Sequence, residues 1–269
     1  DLVWIKNRTT TGYEHFWWDS VRGAGGNKDI NSDSTNYEGQ ENTSAYGYLR
    51  SFDSNGFTIT SGTTNAVTIN RSSDNYVAWS WKAAGNANTY NILENGTVTS
   101  SASASTLGLD TGTITPTGVS ANKDNGFSIV KYTGEVTGAN KSFAHGLSKP
   151  PEIIIIKDID WSTPDWFIWH KDLSSDTHYL RFTAAIEAQS STVYSAAPTS
   201  SLINIGNDSG VGNRTDSYIC YAWHSVPGFS KIGSYTGTTS SAINIKTGFE
   251  PAFVLIKGYA VGASYGGSW

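Results

Sequence analysis

The residues with the most chemical scope in this sequence are its tryptophans. Trp161, Trp166 and Trp169 cluster around Pro164, and Trp17–Trp18 hold the corresponding place near the start of the chain. Aromatic faces stack on the apolar faces of pyranose rings, so such a cluster is a candidate glycan platform made of Trp161, Trp166, Trp169, Trp17 and Trp18. Period-2 alternation in Asp165–His170 sends Trp166 and Ile168 one way and Phe167 and Trp169 the other. The plainer reading is that these rings fill a core or a contact between units, because aromatics bury the largest areas per residue.

Catalytic constellations are weaker. The five histidines, His15, His145, His170, His178 and His224, are scattered. A nucleophilic triad needs a nucleophile in reach of a base that an acid orients. His170 lies near Asp172, but no nucleophile-elbow motif accompanies it. Glycoside cleavage needs two carboxyls facing each other across a cleft. Glu14, Glu38, Glu41, Glu94, Glu135, Glu152, Glu187 and Glu250 fall at strand ends or in polar loops, and their spacing singles out no pair. The run Asp29–Thr35 has oxygen-bearing residues at the first, third and fifth places of a calcium loop. It lacks the Gly at place six and carries Gln40 at place twelve, so it reads as a solvated loop. No catalytic residue, metal site or cofactor is expected, and the chain reads as a non-enzyme.

Composition narrows the class. Charged residues make up 15% of the 269, well under the usual quarter, and the net charge is −5 with no basic cluster. A nucleic-acid partner is therefore not expected. The longest aliphatic run, Ile153–Ile156, is too short to insert in a membrane. Cys220 is the only cysteine, which rules out an intrachain disulfide framework. The chain lacks Met and opens inside the apolar run Leu2–Ile5, which suggests a longer parent polypeptide.

The elements that would position these residues are strands. Gly, Asn, Ser, Thr, Val, Ile and aromatics dominate, and they suit pleated surfaces joined by tight turns. A short helix near residues 184–188 is the most that the periodicity allows. Three motifs recur in a fixed order. Gly126–Gly134 (GFSIVKYTG) returns with one extra residue as Gly228–Gly237 (GFSKIGSYTG), the mark of a bulge. Leu2–Lys6, Ile153–Lys157 and Phe253–Lys257 share an apolar run that ends in Lys. Tyr76–Lys82 matches Tyr218–His224, and in this pair Val77, Trp79 and Trp81 share a face, as do Ile219, Tyr221 and Trp223. Residues 126–227 hold a complete unit of roughly a hundred residues, a usual size for a β-sandwich.

The fold class expected is all-β, with tandem antiparallel β-sandwich (jelly-roll-like) units. Residues 1–125 form the first unit, with a hairpin and linker at 83–125. Residues 126–269 form the second, plus the start of a following repeat from 228. The inward faces are expected to carry Trp79, Trp81, Tyr221 and Trp223.

These motifs also resemble a family. Leu2–Arg8, Asp19–Gly23, Asn55–Thr58, Tyr76–Lys82 and Gly228–Ser230 are similar to an uncharacterised repeat domain in predicted virion proteins of marine tailed phages. The resemblance implies a structural component of a phage particle: a fibre, appendage or decoration module of the tail or capsid. It implies a place in the virion, and partners among other copies (a homo-oligomer) or neighbouring virion proteins. Host surface glycans are the second partner class, and a carbohydrate-binding adhesin module is the alternative function. The resemblance supplies no catalytic residues.

Overall fold

The computed structural model describes residues 1–65, 68–184, 187–238 and 240–259. It is all-β. In chain order the strands are β1 (Leu2–Asn7), β2 (Phe16–Asp19), β3 (Ile30–Asn31), β4 (Tyr48–Asp53), β5 (Gly56–Thr60), β6 (Tyr76–Trp81), β7 (Tyr90–Glu94), β8 (Thr97–Ser101) and β9 (Gly118–Asn122). They continue with β10 (Phe127–Thr133), β11 (Lys141–Ala144), β12 (Ile153–Asp158), β13 (Phe167–His170), β14 (His178–Tyr179), β15 (Ala188–Gln189), β16 (Leu202–Ile205) and β17 (Ser217–Trp223). A single helical turn, α1 (Thr43–Tyr46), precedes β4. The helix allowed near residues 184–188 falls partly outside the described residues, and its last position, Ala188, opens β15.

Two sheets dominate. The first has the order β3-β2-β1-β6, and the second β13-β12-β17-β10-β9-β7-β8. They pack face to face through one apolar cluster. Leu2, Trp4, Trp17 and Ile30 come from the first sheet, and Phe127, Ile129, Ile155, Ile168, Ile219 and Tyr221 from the second. The outer face of the first sheet, with Val3, Ile5, Phe16 and Trp18, is covered by the β4–β5 hairpin through Leu49. The outer face of the second sheet, with Val130, Tyr132, Ile154, Ile156, Tyr218 and Cys220, is covered by β11, β16 and their loops. Strict alternation makes this layering possible: each of β1, β2, β12 and β17 sends neighbouring residues to opposite cores.

Trp79, Trp81, Tyr221 and Trp223 all belong to the face that the two sheets share. Tyr221 is buried, and the three tryptophans are half-buried against the cluster. Their small alternates differ as their surroundings require. Ala78 and Ser80 face solvent, whereas Cys220 and Ala222 sit in the outer core of the second sheet.

Cys220 is fully buried, and burial pushes its thiol well above the ordinary range. Because the thiolate is the reactive form, a thiol reagent is expected to leave the folded protein unlabelled while it modifies the denatured chain completely. Labelling of native protein at the denatured rate would contradict this burial.

The duplicated motifs fold as the same three-stranded unit, a hairpin (β1–β2 or β12–β13) whose first strand also pairs with a later strand (β6 or β17). In the first sheet Trp4 lies between Trp17 and Trp79. In the second, Ile155 lies between Ile168 and Tyr221. Likewise Leu2 is opposite Trp81, as Ile153 is opposite Trp223. The turns repeat as well. Asn7 Oδ1 accepts the Thr9 and Thr10 amides at 2.8 and 2.9 Å, and Asp158 Oδ1 accepts those of Asp160 and Trp161 at 3.0 Å each. Lys6 Nζ donates to the Tyr13 carbonyl, and Lys157 Nζ to that of Pro164. The two units meet at equivalent residues, with Trp81 and Trp223 6.3 Å apart edge to face.

Three expectations need correction. First, β7, β8 and β9 belong to the second sheet, so the sheets do not divide at residue 125. The stretch 83–125 has a linker-like composition. It nevertheless places Tyr90, Ile92, Val119 and Ala121 in the outer core of the second sheet. Second, β7 pairs with β9 in parallel, so the sandwich is not purely antiparallel. The long connection from β8 to β9 supplies the crossover that a parallel pair needs. Third, the repeat motifs from residue 228 onward form no strand among the described residues. Ile243 and Ile245, which alternate as in a strand, lie exposed.

Candidate functional site

The five tryptophans proposed as a glycan platform do not form one. Trp17, Trp18, Trp166 and Trp169 are buried, none more than 4% exposed. Trp17 and Trp18, neighbours on β2, point into different cores. Trp166 donates its indole N–H to the carbonyl of Asn31 at 2.7 Å, and Trp169 donates to that of Asp176 at 3.0 Å. The alternation that made them candidates is the alternation of a strand buried on both faces. Trp161 keeps partial exposure, and there the Arg214 guanidinium covers its ring at 4.2 Å.

The run Asp29–Thr35 turns some of its oxygens to structural partners, while Asp29 Oδ2 and Asn31 Oδ1 are buried with no hydrogen-bond partner among the described residues. Asp29 Oδ1 accepts the Thr43 hydroxyl at 2.6 Å, and Asp33 Oδ1 accepts the His15 amide at 2.9 Å. The carbonyls of Asn31 and Thr35 accept from Trp166 and from the buried Lys157 of the second sheet. At His170, Nδ1 accepts the Asp172 amide at 3.1 Å, and the Asp172 carboxylate engages Lys171 instead. That geometry does not orient a general base.

A shallow cleft lies elsewhere, on the first three-stranded unit. Its volume is about 260 Å³, and Gly12, Tyr13, Glu14, Phe16, Glu41, Tyr46 and Thr68 line it. The β1–β2 loop supplies the first three, and Phe16 opens β2. The loop ahead of α1 supplies Glu41, and α1 ends with Tyr46, which is exposed. The loop floor is anchored: Lys6 holds the Tyr13 carbonyl, and His15 Nδ1 accepts the Trp4 indole N–H at 3.1 Å. Glu41 Oε1 accepts from the Asn36 side-chain amide.

Electrostatically the cleft is unusual. Burial, a hydrogen bond to Asp33 and the nearby charges of Asp33 and Glu41 raise the Glu14 carboxyl to about 7. Burial also lowers His15 from the ordinary imidazole range. Near neutral pH Glu14 therefore exists both as donor and as acceptor, beside two tyrosine rings. This set suits a neutral polyhydroxy ligand, which presents hydroxyls to the carboxyls and C–H faces to the rings. Sequence spacing could not reveal it. Residues 14, 33 and 41 come together only because β1–β2 and the loop after β3 fold onto the same end of the sheet.

Glu14 also sets a stability slope. Its folded value lies above its unfolded value of 4.5. Between those values the folded chain holds the extra proton, so this contribution falls as pH rises from about 4.5 through about 7. Asp29 and Asp158, both raised to about 6 chiefly by burial, act in the same sense. His145, lowered to about 4 by burial, acts oppositely as pH falls below its ordinary range. Subtracting the Glu14→Gln profile from the wild-type profile isolates the first effect. The difference is expected to decline across that window, and a flat difference would contradict the raised value.

A family model described as Domain of unknown function (DUF7483) matches residues 1–266. The chain belongs to this family. The match runs through both three-stranded units and the cleft, so both copies lie within one DUF7483 domain. No curated protein and no solved structure matches this DUF7483 chain.

Proposed function

We propose that the chain is a structural module of a phage particle, a repeat unit of a fibre, appendage or decoration layer that acts by packing against other copies and neighbouring virion proteins. The resemblance to virion repeat domains supports this reading. The observation that carries it is the apolar surface after β17. Phe229, Val254, Leu255 and Ile256 are exposed within motifs whose earlier copies are buried strands, and Ile243 and Ile245 between those motifs are exposed as well. Exposed large apolar side chains gathered in one segment point to an interaction surface. Antibodies raised against the chain should label purified particles of the phage that encodes it, and the chain should appear among the proteins of dissociated particles. Particles that lack it would overturn the reading.

The cleft favours a second role on the same module, attachment to host surface carbohydrate. If Tyr46 stacks on a sugar ring, Tyr46→Ala should weaken binding to host polysaccharide about tenfold, the equivalent of roughly 1.4 kcal/mol. Unchanged binding, or no binding by the wild-type chain, would remove this role and leave the structural one standing.

A further inference from the structure

The two three-stranded units differ in one respect. In the second, β17 is flanked on its far side by β10, the Gly-Phe-Ser strand, through seven residue pairs from Phe127↔Trp223 to Thr133↔Ser217. In the first, the equivalent strand β6 is the edge of its sheet, and among the described residues it pairs with β1 alone. Ala78 and Ser80 on β6 face solvent. An unpaired, uncharged edge of six residues is a template for another strand.

A Gly-Phe-Ser strand without a sheet exists in the same molecule. Gly228–Gly237 repeats Gly126–Gly134, yet it forms no strand. Its large side chains stand in solvent, Phe229 at 57% exposure and Tyr235 at 44%. Within its own chain the segment is held away from β6. The Ile232 amide donates to Ser225 Oγ at 2.9 Å, and Ser234 bonds Asp172, just beyond β13 at the far edge of the second sheet.

We infer that Gly228–Gly237 of one copy adds to the free edge of β6 in another copy, antiparallel, in the register that β10 keeps with β17. This inference rests on reading the chain as a repeat module. It names the contact that joins one module to the next. Transferred through the duplication, the register sets Phe229 opposite Trp81, Ser230 opposite Ser80 and, beyond the extra residue, Tyr235 opposite Tyr76. The chemistry at each place has a precedent in the second sheet. Phe127 stacks on Trp223 at 4.8 Å with rings 24° apart, and Tyr132 stacks on Tyr218 at 5.2 Å. Trp81 and Tyr76 are the counterparts of Trp223 and Tyr218 and are only half-buried at present. The donor segment and the acceptor edge are different surfaces, so the contact is head-to-tail, and each module offers one donor and one acceptor to its neighbours.

The test uses the full chain. One preparation carries Ser80→Cys and a second, of different tagged mass, carries Ser230→Cys. Both sites are small and lie outside the cores, and buried Cys220 does not compete. Mixing under mild oxidation should give a heterodimer joined between residues 80 and 230. Its yield should exceed at least tenfold that of a control in which Val98→Cys, exposed on β8, replaces Ser230→Cys. In sedimentation, the mass of the wild-type chain should rise with concentration, and Phe229→Ala should suppress that rise. Phe229 contributes to no core cluster, so the variant keeps its fold. Three outcomes would overturn the inference: a double variant carrying both Ser80→Cys and Ser230→Cys that closes its disulfide only within one chain, a cross-link between the two single variants no better than the control, or a wild-type chain that stays monomeric at all concentrations. The module reading fails separately. Particles that lack the chain sink that reading even if the cross-link forms, and a monomeric chain found on particles sinks the strand addition alone.

Discussion

Replacing Asp19 with alanine is expected to destabilise the protein by about 3–5 kcal/mol, the usual cost of stripping one partner from a buried ion pair. Asp19 and Arg22 have fully buried side chains, with Nε and Oδ2 2.5 Å apart. The same Oδ2 accepts the hydroxyl of Tyr221 at 2.7 Å, and Tyr221 stands on the opposing sheet. Asp19 Oδ1 meanwhile accepts the amides of Val21 and Arg22 at 3.0 and 2.9 Å, which fixes the turn after β2. Without the carboxylate, the guanidinium retains only the carbonyls of Lys28 and Trp17 and a long contact to Glu38. The Tyr221 hydroxyl would be left buried with no acceptor. Tyr221→Phe removes only that hydroxyl and should cost about 1 kcal/mol. Denaturant midpoints of the two single variants and the double variant form a cycle. Because the residues touch, their effects should not add. Additive costs, or an Asp19→Ala loss below about 1 kcal/mol, would show that this bond does not tie the sheets together.

Much of the fold could be read from residue types because its layers follow strand alternation. Tyr218–Trp223 announced one bulky and one small face, and the structure places them in the shared and outer cores. What could not be read was which sheet each strand would join. The membership of β9 and β7 in the second sheet rests on backbone pairing, β9 with β10 and β7 in parallel with β9, which composition does not encode. The candidate site failed for a related reason. A glycan platform needs one wet face on Asp165–His170, which the plainer core reading does not. β13 instead has Ile168 against the first sheet and Phe167 and Trp169 in the outer core, so neither face is free. The Glu14 cleft left no signature because its carboxyls come from separate loops. The duplication itself was visible, but not that its two copies would face one another. Asp19 shows how they diverged to do so. Its counterpart His170 still accepts an amide in the same turn, yet it makes no ion pair and no bond across the interface.

Trp17→Ala should cost about 3–5 kcal/mol, and how the loss appears matters as much as its size. The Trp17 ring lies 5.3 Å from Trp4 in its own sheet, 5.4 Å from Trp166 and from Tyr221, and 6.2 Å from Phe182. Three of those four partners belong to the second half of the chain, so the cavity would open between the sheets. If residues 1–125 and 126–269 folded as separate sandwiches, unfolding would show two transitions, and the substitution would shift only the earlier half. A single core shared by both sheets gives one cooperative transition, which moves as a whole. Trp17→Ile makes the comparison sharper. Isoleucine is the residue at the equivalent position, Ile168, so it suits the strand, and its loss should be smaller than that of alanine by the volume it restores. The measurement is denaturant unfolding followed by tryptophan fluorescence and by backbone circular dichroism on the same samples. Coincident curves that shift together in both variants are expected. Curves that separate, with one left at the wild-type midpoint, would mean that the sheets fold apart and that the shared face contributes little to holding the two copies together.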